Sequence, residues 1–224
     1  MDYAVLENSA LFRSIPAKDI QADLDAISWH IRRFDRDETV FSLMERAERI
    51  GIVLEGRVQA RKTFPNGSQV NVSVCGPSDL VGAAAAFSSG GTYPCDIVSL
   101  GPAALLMLRR TDVLALMQKD VRILENLMTE IASAACMLQQ RLELFSYSGI
   151  AQKAAFWLLT QARQTGGHVI RIPGSVSGWA MMMNVSRPSL HRELKKLESA
   201  GILLYRPPLI EISDMEKLRQ VLSR

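Results

Sequence analysis

Residues 186–196 hold a dense set of hydrogen-bond donors: Ser186, Arg187, Ser189, His191, Arg192, Lys195 and Lys196. Such a set does no covalent chemistry. A guanidinium can grip O6 and N7 of a guanine through two parallel bonds, whereas Ser and Lys usually hold phosphate oxygens. Leu190, Leu194 and Leu197 interleave with these residues at i, i+4 and i+7, the spacing of one buried helix face. The polar residues therefore occupy the rest of the surface of one short helix. Arg187, near its start, is the best-placed base reader. Ser186 and Ser189 suit phosphate or base edges, Arg192 suits either, and His191 lies on the exposed side. A merely solvated basic face would explain the charge alone.

Other residue types point away from catalysis. The histidines His30, His168 and His191 are scattered over different elements, without a local Ser, Cys or carboxylate partner. No GxGxxG or phosphate-binding loop occurs, so the chain is not expected to be an enzyme. Cys75, Cys95 and Cys136 are odd in number, widely spaced and free of a CxxC pair. That pattern gives neither a zinc site nor a disulfide framework, and no metal is expected.

The residues flanking the donor-rich helix build a frame for it. Ser177–Met183 and Arg187–Ser199 read as two helices separated by Asn184-Val185-Ser186. Asn184 tolerates the left-handed conformation that a tight turn needs. Val185 would plug the core beneath it, and Ala180 is small where two helices must cross. Ser186 is a good N-cap, and Pro188 suits the first helical turn. Leu203–Tyr205 and Leu209–Ile212, joined by Arg206-Pro207-Pro208, read as two strands, and Asp214–Leu222 as a last helix. Two helices with a tight turn and a two-stranded wing make a winged helix-turn-helix. Charge supports a nucleic-acid partner: residues 147–224 hold 11 Lys/Arg against 5 Asp/Glu, whereas residues 1–146 hold 15 against 18.

Upstream, Met117, Val121, Leu124, Met128, Ile131, Ala135, Leu138, Leu142 and Phe145 alternate in steps of four and three, an a/d seam held for four heptads. Leu116, Ile123, Leu127, Ala134, Met137 and Leu144 widen the apolar face. No Gly or Pro interrupts Asp112–Phe145, so one helix roughly 50 Å long is expected. Pairing with a second copy would hide both flanks, and a long core helix within one chain is the alternative. Tyr147-Ser148-Gly149 reads as a hinge, followed by a helix over Ile150–Arg163 that Gly166-Gly167 ends, and His168–Ile172 alternates like a strand. Between Trp29 and Leu108, short Val- and Ile-rich runs alternate with turn residues, and Pro65-Asn66-Gly67 is the clearest hairpin turn. Examples of such runs are Ile50–Leu54, Val58–Thr63, Gln69–Val74, Ile97–Leu100 and Ala104–Leu108. A helix over Ala17–Ser28 precedes them. The reading is an α+β chain: an N-terminal jelly-roll-like β-roll over 1–111, a dimerisation helix over 112–146 and a winged helix-turn-helix over 147–224. The 224 residues, 48% hydrophobic, suffice for packed cores, and no apolar run approaches the ~20 residues of a membrane span. Met1–Ala10 has no signal-peptide charge pattern, so the expected location is cytoplasmic.

The segment Val185-Ser186-Arg187-Pro188-Ser189-Leu190-His191-Arg192-Glu193-Leu194 resembles the recognition helix of the CRP/FNR superfamily of bacterial transcription regulators. Ile52-Val53-Leu54-Glu55-Gly56-Arg57-Val58 is similar to that family's β-roll strand and turn. Asn66-Gly67, Gly76-Pro77-Ser78-Asp79-Leu80-Val81-Gly82 and the heptad helix follow in the family's order over about 200 residues. The resemblance implies a homodimer on a pseudo-palindromic double-stranded DNA operator, with RNA polymerase as a further partner. It also implies a β-roll that senses a signal and swings the DNA-binding domains about the hinge.

The sequence departs from the family at the ligand. Cyclic-nucleotide-binding members carry a Glu after the Gly of the Gly82 segment and an Arg-Ser or Arg-Thr pair beyond it. Here these positions read Ala83 and Tyr93-Pro94. A buried phosphate without a cation is costly, so the family's usual cyclic AMP binding is expected to be lost. An iron–sulfur cluster lacks its N-terminal cysteines, since none precedes Cys75. Gly82, Ala83, Ala84 and Tyr93, with Leu124 and Met128 of the long helix, are the candidate lining of a pocket for an uncharged or aromatic effector; filled core is the alternative. Haem, with Cys75, Cys95 or His30 as ligand, and a redox role for Cys95 are the other readings left open. No cofactor is required by the residues. A ligand-binding dimer of this fold, redox- or haem-sensing or with no effector at all, is the rival function.

Overall fold

A computed structural model describes residues 3–63 and 69–223; the expected Asn66-Gly67 turn lies outside the described residues. The chain divides into two compact units, residues up to Ala134 and residues from Ala135.

The first unit opens with α1 (Tyr3–Glu7) and α2 (Ala17–Leu24). Among the described residues eight strands follow: β1 (Trp29–Phe34), β2 (Thr39–Phe41), β3 (Arg49–Glu55), β4 (Val58–Thr63), β5 (Gln69–Cys75), β6 (Leu80–Val81), β7 (Asp96–Ser99) and β8 (Ala103–Arg109). A four-residue helix, α3 (Ala83–Ala86), stands between β6 and β7. The strands form two four-stranded sheets, ordered β1-β8-β3-β6 and β2-β7-β4-β5. Every pairing is antiparallel. Ile50, Ile52, Leu105 and Leu106 from one sheet share a single core with Val58, Ala60, Phe41 and Ile97 from the other. This is the β-rich roll that the run of short Val/Ile segments predicts. Gly56 is forced by sterics: its φ is 76°, and a Cβ there would lie 2.2 Å from the Pro102 carbonyl oxygen.

Three strands escape the sequence pattern for physical reasons. β1 sits at a sheet edge and exposes five of its six residues, so apolar alternation is absent. β2 and β6 span three and two residues, too short to show a period.

The expected unbroken helix over Asp112–Phe145 is two helices, α4 (Arg110–Lys119) and α5 (Val121–Ser146). The break is Asp120, whose backbone is extended, with φ −127° and ψ 108°. Its carboxylate accepts the Arg122 backbone N–H at 2.9 Å and the guanidinium at 2.6 Å. Arg122 also reaches Asp19 of α2 at 3.0 Å. A short acidic side chain that bonds its neighbour's amide offers the backbone an alternative to the helix. Helix α5 is accordingly about 39 Å long, and the division between the two units falls within it.

The second unit contains the end of α5, α6 (Ile150–Thr165), β9 (Val169–Arg171), α7 (Val176–Met182), α8 (Arg187–Ser199), β10 (Leu203–Arg206), β11 (Leu209–Ile212) and α9 (Met215–Val221). Leu144 packs with Leu158, Trp179, Leu194 and Ile210 in its core. The wing is a three-stranded sheet, β10-β11-β9: the expected strand over His168–Ile172 is present as β9 and joins the two expected wing strands. Val169–Arg171 pairs antiparallel with β11. The Tyr147–Gly149 segment is braced: the Tyr147 ring lies 5.5 Å from Phe156, and the Gly149 N–H donates to Gln152 at 3.0 Å.

The Arg122 guanidinium holds the Asp120 carboxyl below its usual range. A depressed carboxyl stabilises the fold above its unfolded-state value, and that contribution is lost as pH falls through the lowered folded-state value. Asp120→Ala is expected to cost about 1 kcal/mol at pH 7, with the gap to the native chain closing as acid protonates Asp120. Urea unfolding of both proteins at neutral and acidic pH checks this.

Candidate nucleic-acid interface

The turn between α7 and α8 sets the position of every donor on α8. Ser175 caps α7 by accepting the Gly178 N–H at 3.0 Å. Asn184 then takes φ 54°, the left-handed conformation that Asn adopts more readily than most residues. The Val185 N–H closes back on the Ala180 carbonyl at 3.0 Å, while Ala180 and Trp179 are fully buried. Val185 packs against the same core. Ser186 starts α8 by accepting the Ser189 N–H at 3.2 Å and donating its own proton to the Ser189 hydroxyl at 2.8 Å. That leaves the Ser189 hydroxyl proton available for a phosphate oxygen. Leu190, Leu194 and Leu197 are buried beneath the helix.

Elsewhere on α8, Arg187, His191, Arg192, Lys195 and Lys196 are exposed while Ser189, Glu193 and Glu198 are half-buried, and the charges differ in freedom. Arg187 makes no ion pair among the described residues. Lys195 bonds Glu198 at 2.7 Å, and Lys196 bonds Glu193 at 2.8 Å. Arg192 approaches Glu193 only at 4.0 Å. Exposed pairs of this kind are worth little, so both lysines can turn to a phosphate at small cost. The His191 ring lies 5.5 Å from Tyr205 of β10, edge to face, and the Lys195 ammonium stands 5.7 Å from the same ring. Glu198 accepts the Tyr205 N–H at 3.0 Å. The Lys195 hydrogen bond, with that backbone bond, holds the Glu198 carboxyl below its usual range. Tyr205 thus locks the wing to the helix.

All seven donors expected from the sequence share this helix face. A further exposed cation stands on the wing, outside the expected set. Arg206 is exposed at the end of β10, where the wing turns. An Arg ahead of Pro207-Pro208 between two strands is the signal that could have found it.

In the first unit, Gly82, Ala83 and Tyr93 come together. Tyr93 is 2% exposed and stacks on Phe41 with ring centroids 4.4 Å apart. A Cβ on Gly82 would lie 3.0 Å from Phe41 and 3.2 Å from Tyr93. The Tyr93 hydroxyl donates to the Arg49 carbonyl at 2.7 Å, and burial pushes the phenol up to about 12. Ala84 is exposed. Leu124 and Met128 lie on the open side of α5, 40% and 59% exposed. Of the candidate haem or redox residues, Cys95 is buried and Cys75 half-buried, and burial raises both thiols. His30 is exposed on β1. Among the described residues, no three His, Cys, Asp or Glu side chains gather to hold a metal, and no helix is long and apolar enough to cross a membrane.

Two family models match the chain: the cyclic nucleotide-binding domain over residues 31–120 and the Crp-like helix-turn-helix domain over residues 152–221. The chain belongs to the CRP/FNR superfamily, a family of transcription regulators. The Cyclic AMP receptor protein of Thermus thermophilus is 24% identical over 217 residues, 96% of this chain and 98% of that protein. The CRP-like cAMP-activated global transcriptional regulator of Mycobacterium tuberculosis (strain H37Rv) is 22% identical over 83% of this chain and 84% of its own length. In fold, the Thermus thermophilus Catabolite Activator Protein aligns with a TM-score of 0.55 at 22% identity, covering 96% of this chain and 99% of its own. DNR from Pseudomonas aeruginosa aligns with a TM-score of 0.51 at 20% identity over 97% and 96%.

Arg187→Ala is expected to weaken binding to a selected operator by about 1–3 kcal/mol, roughly 5- to 150-fold, and to relax preference at one base pair. Lys196→Ala should weaken all sequences alike and lower the salt slope by about one. Gel-shift titrations against cognate and scrambled duplexes at several salt concentrations separate the two effects.

Proposed function

We propose that this transcription regulator works as a homodimer, joined along α5, that reads a pseudo-palindromic operator and responds to a signal other than cyclic AMP bound in the family's usual way. The observation that carries the dimer is the state of the heptad seam. Ile123 and Leu127, on the second flank of α5, are fully covered by the β-roll core. The a/d positions Val121, Met128, Leu138, Leu142 and Phe145 stay 49–65% exposed. One helix therefore satisfies its own unit and still presents a second apolar stripe at heptad spacing. A second copy covers such a stripe with a symmetric coiled-coil seam. Two α8 helices would then address successive major grooves, as dimeric helix-turn-helix proteins do.

The relatives named as cyclic AMP receptors set the alternative signal. Against it stands the filled space around Gly82: Ala83 offers no carboxylate, and Tyr93, buried on Phe41, brings a neutral phenol where a cyclic phosphate would need a cation. RNA polymerase is the further partner that the family's mode of action supplies.

Two measurements test this reading. Leu138→Asp with Leu142→Asp places four like charges in the paired seam, and sedimentation should show the chain shift from dimer to monomer with operator binding lost. A native chain that already sediments as a monomer defeats the dimer. In calorimetry, cyclic AMP should give a Kd weaker than about 1 mM; micromolar binding would overturn the signal assignment.

A further inference from the structure

A cleft of about 600 Å³ opens in the first unit between the start of β3, the end of β8 and the first turn of α4. Four arginines line it: Arg46, Arg49, Arg109 and Arg110, with Glu48 and Thr111. Arg49 and Arg109 are register partners across the β3–β8 ladder. Directly opposed residues on antiparallel strands bring their side chains to the same face, with Cβ atoms about 5 Å apart, and like charges there are destabilising. Arg46 pairs with Glu48 at 3.1 Å. Arg49, Arg109 and Arg110 make no ion pair among the described residues. The Arg110 guanidinium instead lies 5.6 Å from the Phe87 ring. The cleft thus gathers four cations against one carboxylate and sets two of them in mutual repulsion. Thr111 adds a hydroxyl in the first turn of α4, the end of a helix that favours negative charge.

We propose that this cleft binds a phosphorylated small molecule carrying at least two negative charges. Guanidinium forks match phosphoryl oxygens in pairs, and several of them on one dianion offset the repulsion between like charges on facing strands. The concavity favours a small ligand over an acidic protein surface, which would present its carboxylates on a broad, flat face. None of the lining residues is among the sequence-expected effector residues Gly82, Ala83, Ala84, Tyr93, Leu124 and Met128. The site is linked to that region: Arg49 lines the cleft while its carbonyl accepts the Tyr93 hydroxyl, and Ala86, also in the lining, donates its N–H to the Gly82 carbonyl at 2.9 Å.

The test uses the full chain with inorganic pyrophosphate and ATP as probes, and a short polyglutamate peptide as the rival ligand. Thermal unfolding and calorimetry are read for the native protein, Arg49→Gln, Arg109→Gln and, as a control on the DNA-binding face, Arg187→Gln. Expected are saturable pyrophosphate or ATP binding with a raised Tm in the native protein and in Arg187→Gln. Each cleft variant should bind at least about 10-fold more weakly and, unliganded, melt at or above the native temperature because a like-charge pair is gone. A purely structural role for these arginines would instead lower the unliganded Tm. The proposal is overturned by absent saturation, by affinity unchanged in the cleft variants, or by polyglutamate binding where pyrophosphate and ATP do not.

Discussion

Helix α5 carries more apolar surface than its own chain covers, and much of the molecule is organised around that imbalance. One flank is anchored: Ile123 and Leu127 close the β-roll core, and Leu144 joins the core of the second unit. Each of these contacts belongs to its own unit, and the apolar a/d positions of the helix stay open to solvent. The Asp120 break fixes where the helix begins. The Arg122 bridge to Asp19 ties that start to α2, so the register of the seam relative to the β-roll is set by charge as well as by packing.

The recognition surface obeys a second constraint, the exact geometry of one turn. Asn184 in the left-handed region, Ser186 as cap and Tyr205 against His191 together leave α8 little freedom relative to the wing. A helix that reads base edges needs such a fixed stage, because a displaced guanidinium loses its paired bonds. The acidic partners Glu193 and Glu198 moderate a strongly basic face without neutralising Arg187.

The legible parts of this chain are those in which local chemistry and tertiary context agree. Helix α8 runs from Arg187 to Ser199 as its cap, proline and leucine spacing dictate, and β11 spans Leu209–Ile212 as its alternation predicts. The failures have physical causes. The break at Asp120 turns on a carboxylate that finds Arg122 and Asp19, the latter about a hundred residues away in sequence, so heptad spacing alone could not reveal it. The strand over His168–Ile172 is legible by its alternation, but its place as a third wing strand rests on pairing with β11, which no local signal shows. At the candidate site, donors on one helix were readable because a single period places them together. Arg206 and the arginine cleft depend on how separate strands meet, as in the Arg49–Arg109 pairing.

Operator stoichiometry tests the central claim most directly. Native mass spectrometry of the full chain with a selected palindromic duplex should give two chains per duplex, and a half-site duplex should bind far more weakly. A stable complex of one chain with one full operator, at the affinity of the intact site, would contradict the account.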